Sequence, residues 1–142
     1  MGGTPSGDGL TGVRLLLICL GGAVGTAARY AVGGLAARWL GPDFPYGTLL
    51  INVLGSLLVG IIQQIGLSTL LIPETLRLAL TIGVMGGFTT YSSFSYETLR
   101  LVESGSWVPA VVNVVLTTTL CLVACGLGLA LGRAAVGWKG GL

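Results

Sequence analysis

The chain has 142 residues, of which 53% are hydrophobic and only 8% are charged, and its formal net charge is +2. Soluble domains carry about 25% charged residues, and so short a chain cannot bury this much apolar surface in one soluble core. The composition therefore indicates an integral membrane protein, and the small net charge does not favour nucleic-acid binding. The sequence contains no histidine, which excludes imidazole acid–base chemistry and histidine-ligated metals.

The three cysteines, Cys19, Cys121 and Cys125, all lie in apolar runs. We therefore expect neither a disulfide framework nor a zinc site. The sequence offers no recognisable pair of nucleophile and base and no cluster of metal ligands, so we do not expect an enzyme.

Four apolar segments are each long enough to cross a bilayer, which takes roughly 20 residues. They cover about residues 13–40, 46–67, 74–101 and 107–132. They predict an all-α integral membrane protein with four transmembrane helices. The predicted organisation is a polar, disordered N-terminal tail over 1–13, a four-helix transmembrane unit over 14–135 and a C-terminal tail over 136–142. Tryptophans lie near segment ends, where an interfacial position is favoured, at Trp39, Trp107 and Trp138.

The third segment contains a stretch that does not suit a lipid-facing helix. Gly83, Gly86 and Gly87 fall within five residues, and a run rich in serine and threonine follows them. Irregular backbone at membrane depth is tolerated only where protein buries it or where it lines a water-filled path. We predict a break at Gly86 and Gly87, since glycine adopts backbone angles that other residues avoid. The freed helix ends would offer carbonyls and N–H groups to ions, and the capping candidates are Thr89, Thr90, Ser92 and Ser93.

Two other helices each carry a weakly polar track at four-residue spacing, which places each track on one helical face. The first track is Thr48, Asn52 and Ser56, and the second is Asn113, Thr117, Cys121 and Cys125. Either track alone is explained by interhelical hydrogen bonds, worth about 0.6 kcal/mol each in membranes. Two tracks together with a broken helix favour a narrow polar pathway.

The polar groups of the spans favour an anion over a cation. Hydroxyls, amides and Arg29 can donate hydrogen bonds, whereas Glu97 is the only carboxylate within a span apart from Glu74 at the first residue of the third segment. Arg29 stands in mid-segment, where a cation is costly, so it either bonds helix ends or contacts an anion. Tyr91 and Phe94 are three residues apart and stack on one face. Their ring edges are electropositive, which suits an anion, although the residues alone favour ordinary membrane packing for the pair.

The distribution of lysine and arginine gives only a weak orientation signal. With four spans, one side carries Arg14, Arg77, Arg133 and Lys139, and the other carries Arg38 and Arg100. The positive-inside rule usually leaves one side nearly bare. The sequence is therefore compatible with insertion in both orientations, and a single orientation is the alternative.

Three stretches resemble motifs of the Fluc (CrcB) family of fluoride channels, in the same order along the chain. Residues 86–98 read GGFTTYSSFSYET and resemble the motif Gly-Gly-x-Thr-Thr-Phe-Ser-Thr-Phe. Residues 21–30 read GGAVGTAARY, and residues 47–55 read GTLLINVLG. These two resemble the first-helix and second-helix motifs of the family. The resemblance covers about residues 15–135.

The resemblance implies a passive, fluoride-selective channel of the cell membrane that exports fluoride. It implies an antiparallel, dual-topology homodimer with two pores, or a pairing with a paralogous subunit. It also implies a structural sodium ion at the dimer centre, held by the backbone carbonyls of Gly86 and Thr89. The implied pore residues are Asn52, Tyr91, Phe94, Ser92, Ser93 and Glu97, with Arg29 at the aqueous mouth.

The chain departs from the family pattern at three positions. Tyr91 replaces the first phenylalanine of the pore pair and keeps an aromatic ring. Asn113 and Thr117 replace a tyrosine and a serine of the fourth helix, so one hydroxyl is kept and one ring is lost.

Two other functions compete with a fluoride channel at this stage. A small four-helix, dual-topology exporter of cationic drugs would also insert in both orientations. Such an exporter would need a carboxylate in its first helix for proton coupling, and this chain has none there. The third possible function is that of a membrane assembly protein without transport activity.

Overall fold

The computed structural model describes residues 7–139, and every regular element within that range is helical. The long helices are α1 (Gly7–Leu40), α2 (Tyr46–Ser68) and α6 (Trp107–Lys139). Each of the three contains a stretch long and apolar enough to cross a membrane, over Thr11–Leu40, Tyr46–Ser68 and Trp107–Gly137. Apolar side chains cover their outer faces, as expected of helices that meet lipid.

The third predicted segment is a series of shorter helices. It consists of α3 (Glu74–Leu78), a π-helix (Ala79–Met85), α4 (Gly86–Phe88) and α5 (Tyr91–Glu103). Helical structure thus covers all four predicted segments, and Pro73 precedes α3 at the N-cap position. Long π-helical stretches are rare and mark a local departure from regular helix geometry.

The outer boundaries differ from the sequence prediction at both ends. The helix α1 begins at Gly7, so residues 7–13 of the predicted disordered tail are helical, while residues 1–6 lie outside the described range. The helix α6 runs to Lys139 and includes part of the predicted C-terminal tail; residues 140–142 and the Trp138 side chain lie outside the description. Trp39 and Trp107 do lie at helix ends, 81% and 63% exposed.

The break in the third segment lies at Thr89 and Thr90, not at the two glycines. Gly86 has helical angles (φ −63°, ψ −38°), whereas Thr89 (φ −75°, ψ 158°) and Thr90 (φ −151°, ψ 109°) are extended. The prediction of a break at Gly86 and Gly87 is therefore wrong by two to three residues. The extended angles at the two threonines are open to any residue, so the break itself needs no glycine.

Two glycines of this segment, Gly83 and Gly87, serve close helix packing. A Cβ added at Gly87 would overlap the Gly22 carbonyl oxygen of α1, and one at Gly83 would lie 2.6 Å from the Ile18 carbonyl oxygen. In the opposite direction, a Cβ at Gly25 would overlap the Val84 carbonyl oxygen. Small residues on α1 therefore let its backbone approach the broken segment closely.

A second close contact joins α2 to α6. A Cβ at Gly60 would lie 2.5 Å from the Cys125 carbonyl oxygen, and one at Gly128 would overlap the Leu57 carbonyl oxygen. Two backbone-to-backbone contacts therefore fix the layout, with α1 against the π-helix and α4 and with α2 against α6. The broken segment contacts α1 through the π-helix and α4, and it also contacts α2 and, through α5, α6.

We predict that Gly25→Ala lowers the free energy of unfolding by about 1–3 kcal/mol, because the new methyl group overlaps the backbone of the π-helix. Gly34→Ala on the same helix is the matched control, since a Cβ there meets nothing within 4 Å. Denaturant titration in micelles, followed by circular dichroism, measures both. Equal midpoints for the two variants would contradict the packing described for α1.

Candidate functional site

A groove of about 440 Å³ lies where α2, the break, α5 and α6 meet. Its polar lining residues are Asn52, Ser56, Thr89, Thr90, Tyr91, Thr117, Thr118, Cys121 and Cys125, and its other lining residues are Gly55, Val59, Phe94 and Leu122. None of these residues carries a formal charge. The groove therefore offers amide, hydroxyl, thiol and aromatic groups, without a fixed ion.

The break is fixed by the side chain of Asn52. Its Oδ1 accepts a hydrogen bond from the Thr90 N–H at 2.8 Å, and its Nδ2 donates to the Thr90 carbonyl at 3.0 Å. Both residues are buried, at 9% and 6% exposure. Asn52 therefore satisfies both backbone groups of an extended residue that has no helical partners, and its second amide hydrogen remains available to the groove.

The same bonds leave two carbonyls without their usual donors. In a continuous helix the Thr90 N–H would donate to the Gly86 carbonyl and the Ser93 N–H to the Thr89 carbonyl. Here the Thr90 N–H goes to Asn52, and the Ser93 N–H goes to the Thr90 hydroxyl at 3.2 Å. Carbonyl oxygens are ligands for hard cations, so the donor set at Gly86 and Thr89 fits the ion implied by the sequence resemblance.

Thr90 makes more hydrogen bonds than the capping role that the sequence predicts for it. Its hydroxyl caps α5 by accepting from the Ser93 N–H and donates to the Ser93 Oγ at 2.9 Å, with the Ser92 Oγ at 3.3 Å. The two serines, predicted to line a pathway, thus cluster at the start of α5 and are not among the groove's lining residues. The sequence feature that points to Thr90 is Asn52, because an amide deep in a membrane span needs hydrogen-bond partners.

Close approach of the break to α2 depends on Gly55. A Cβ at this position would overlap the Thr89 side-chain methyl group. Thr89 is itself held to the preceding turn, since its N–H and its hydroxyl both donate to the Met85 carbonyl at 2.9 Å. The helix end before the break is therefore well defined.

The aromatic pair lies in the groove. The ring centroids of Tyr91 and Phe94 are 5.5 Å apart with an interplanar angle of 51°, which confirms the predicted contact between them. Phe94 is buried at 9% exposure, whereas Tyr91 is 80% exposed. Tilted rings present edges as well as faces to the space beside them.

Thr48 and Glu97 form a separate polar contact beside the groove. The Thr48 hydroxyl donates to Glu97 Oε1 at 2.8 Å. The other carboxylate oxygen is buried and has no hydrogen-bond partner within the described part of the chain. Neither residue lines the groove, although Thr48 shares its helical face with Asn52.

Asn113 lies in the core between α5 and α6, with 1% exposure, and is not part of the groove lining. Its Nδ2 donates to Thr98 Oγ1 at 2.9 Å, and its Oδ1 accepts from Thr117 Oγ1 at 3.3 Å. The Thr98 hydroxyl in turn donates to the Phe94 carbonyl at 2.7 Å. Within this chain Asn113 therefore links a groove residue of α6 to the first turns of α5.

Arg29 is half-buried on α1 and is not brought to the groove. It makes no hydrogen bond or ion pair with any residue in the range 7–139. Two other arginines have partners: Arg14 pairs with Glu74 at 3.2 Å, and Arg77 donates to Gln63 Oε1 at 3.0 Å.

Apolar helices of membrane-spanning length around an uncharged polar groove define a multi-pass integral membrane protein. A family model described as CrcB-like protein, Camphor Resistance (CrcB), matches residues 16–129. The chain belongs to this family, in agreement with the resemblance seen in its sequence motifs.

Similar proteins from three bacteria each carry the name Fluoride-specific ion channel FluC. The protein from Sorangium cellulosum is 50% identical over 120 residues, which cover 84% of this chain and 94% of that protein. The protein from Geobacter metallireducens is 47% identical over 121 residues, or 85% and 98%. The protein from Anaeromyxobacter sp. (strain K) is 56% identical over 111 residues, or 78% and 88%.

We predict an energetic coupling between Asn113 and Thr98 of about 0.6 kcal/mol, with an upper bound of about 1.7 kcal/mol, as for other hydrogen bonds between membrane helices. A double-mutant cycle with Asn113→Ala and Thr98→Val in micelles measures it. The cycle of Asn113→Ala with Thr118→Val is the control, because Thr118 lies on the same helix and makes no hydrogen bond to Asn113. Equal coupling in both cycles would contradict the link between α5 and α6.

Proposed function

We propose that this chain is a passive, fluoride-selective channel that exports fluoride across the cell membrane and works as an antiparallel dimer. The observation that carries the proposal is the groove of uncharged donors at a helix break, in a chain about half identical to proteins named fluoride-specific ion channels.

The groove favours an anion because of what lines it. The Asn52 amide and the hydroxyls can replace part of an anion's hydration, and the edges of Tyr91 and Phe94 add weakly positive potential. No lysine or arginine lines the groove, so an anion is held by neutral groups alone. Conduction needs binding strong enough for entry and weak enough for release, which neutral donors provide.

Export needs no energy coupling. At acidic external pH, neutral HF crosses the membrane and dissociates inside, which traps the anion. A membrane potential that is negative inside favours the exit of one negative charge by about 2.3 kcal/mol per 100 mV. A passive pathway with high selectivity is therefore sufficient to lower internal fluoride.

A structural sodium ion is the cation that fits the free carbonyls. Gly86 and Thr89 would supply two oxygens from each chain, and two chains about a twofold axis would supply four. Exposure of Gly86 at the chain surface is compatible with a site shared between copies. A bound sodium ion would add a positive field near the break.

The antiparallel partner is supported by charge and by the shape of the groove. Four cationic residues on one side against two on the other give a weak bias, which permits both orientations. A groove lined by α2, α5 and α6 of one chain is completed when a second copy, or a paralogous subunit, covers it.

The drug-exporter alternative gains no support from the site. Such a protein would need a carboxylate for proton coupling, and the predicted spans contain only Glu97 and, at the first residue of the third, Glu74. Glu97 lies outside the groove and is bonded to Thr48.

The first test is anion efflux from liposomes that contain the purified chain, recorded with fluoride and chloride electrodes. We expect fluoride to leave in response to a potassium-selective ionophore while chloride is retained. Equal efflux of the two anions would refute selectivity, and no fluoride efflux at all would refute the proposed channel function of this chain.

The second test concerns the aromatic pair. We predict that Phe94→Ile lowers fluoride efflux by at least about tenfold, equivalent to about 1.4 kcal/mol in the barrier, while cross-linked dimers persist. Phe44→Ile is the control, because Phe44 lies in the loop before α2 and contacts Tyr46 outside the groove. Unaltered flux in Phe94→Ile would remove this ring from the pathway.

A further inference from the structure

Two thiols lie side by side in the wall of the groove. Cys121 and Cys125 are one turn apart on α6, both are half-buried, both are free, and both line the groove. The third cysteine, Cys19, is exposed on α1 and is not among the lining residues.

The thiols differ chemically from everything else that lines the groove. The remaining polar atoms are the oxygens and nitrogens of amide, hydroxyl and backbone groups, which are hard donors. Sulfur is a soft donor, and thiolates select soft metal ions over sodium, magnesium or calcium. The groove therefore holds a second, distinct set of ligands beside the carbonyls at the break.

The spacing suits a metal ion with two ligands in line. Residues at i and i+4 on a helix have Cβ atoms about 5–6 Å apart. Metal–sulfur bonds of about 2.3 Å give an S–metal–S span of about 4.6 Å, which two rotatable thiols on adjacent turns can match.

The backbone that carries the thiols is held in place. A Cβ at Gly60 would lie 2.5 Å from the Cys125 carbonyl oxygen, so α6 is in backbone contact with α2 at this level. Thr117 continues the same face toward the break and is bonded to Asn113. The thiols thus project from a fixed wall, opposite the polar face of α2.

We propose that Cys121 and Cys125 form a two-thiol site for soft, thiophilic metal ions such as Hg(II) or Cu(I), and that a metal bound there closes the groove to anions. Each thiol releases one proton to water and forms one sulfur–metal bond, so a divalent ion yields a neutral bis-thiolate. The closure rests on the proposed channel function, whereas the binding site does not.

Binding is tested with mercuric chloride on the purified chain in detergent, in a Cys19→Ser background that removes the only other thiol. We expect a sulfur-to-mercury charge-transfer absorption that saturates at one equivalent per chain. Cys121→Ser or Cys125→Ser alone should bind mercury at least about 100-fold more weakly, because the second thiol then no longer binds intramolecularly. Single variants that bind as tightly as the pair would overturn the site.

Closure is tested by fluoride efflux from liposomes, with each rate divided by the same variant's metal-free rate. We expect mercury to reduce the ratio at least about tenfold with Cys19→Ser and to leave it near one when Cys121 and Cys125 are also serine. Excess dithiothreitol should restore the flux. Equal inhibition of the double serine variant would overturn closure at this site.

The two readouts separate the possible failures. A channel that conducts fluoride and binds mercury at the pair without losing flux would keep the site and overturn closure. A metal-free chain that conducts no fluoride would refute the proposed function, while the absorption titration would still decide whether the thiol pair binds the metal.

Discussion

The pair of hydrogen bonds between the Asn52 side chain and the Thr90 backbone makes the break in the third segment possible. An extended residue at membrane depth has an N–H and a carbonyl without helical partners, and each costs several kcal/mol if left unpaired. A single amide satisfies both, because it carries an acceptor and donors on one planar group. The break is therefore tolerated at membrane depth, where unpaired backbone groups would be too costly.

Three features follow from that pairing. The Thr90 N–H is removed from the Gly86 carbonyl, which frees the helix end before the break. The Thr90 hydroxyl caps the first turn of α5, and the buried Phe94 of that helix lines the groove. Close glycine contacts with α1 hold the π-helix and α4, so the broken segment remains a rigid part of the fold. The candidate site is thus built from backbone geometry as much as from side chains.

The sequence predicted the four helical segments and the interhelical hydrogen bonds of the polar residues on α2, since these depend on composition and helical spacing. It misplaced the break, because Gly86 keeps helical angles and Gly87 is needed for close contact with α1. Periodicity also could not separate Asn113, buried between helices, from Thr117 in the groove, since both lie on one face. The π-helix changes the helical register, and no residue pattern in the sequence predicts it.

In the proposed channel, the break that Asn52 holds by hydrogen bonds lies on the anion path. This placement is tested most directly by fluoride efflux from liposomes that contain Asn52→Ala, with cross-linking to show that dimers persist. Gln64→Ala is the matched variant, because it removes an amide of the same helix outside the groove. We expect a loss of at least about tenfold for Asn52→Ala alone, since a donor in a desolvated site is worth about 1–3 kcal/mol. Wild-type flux through an assembled Asn52→Ala dimer would contradict it.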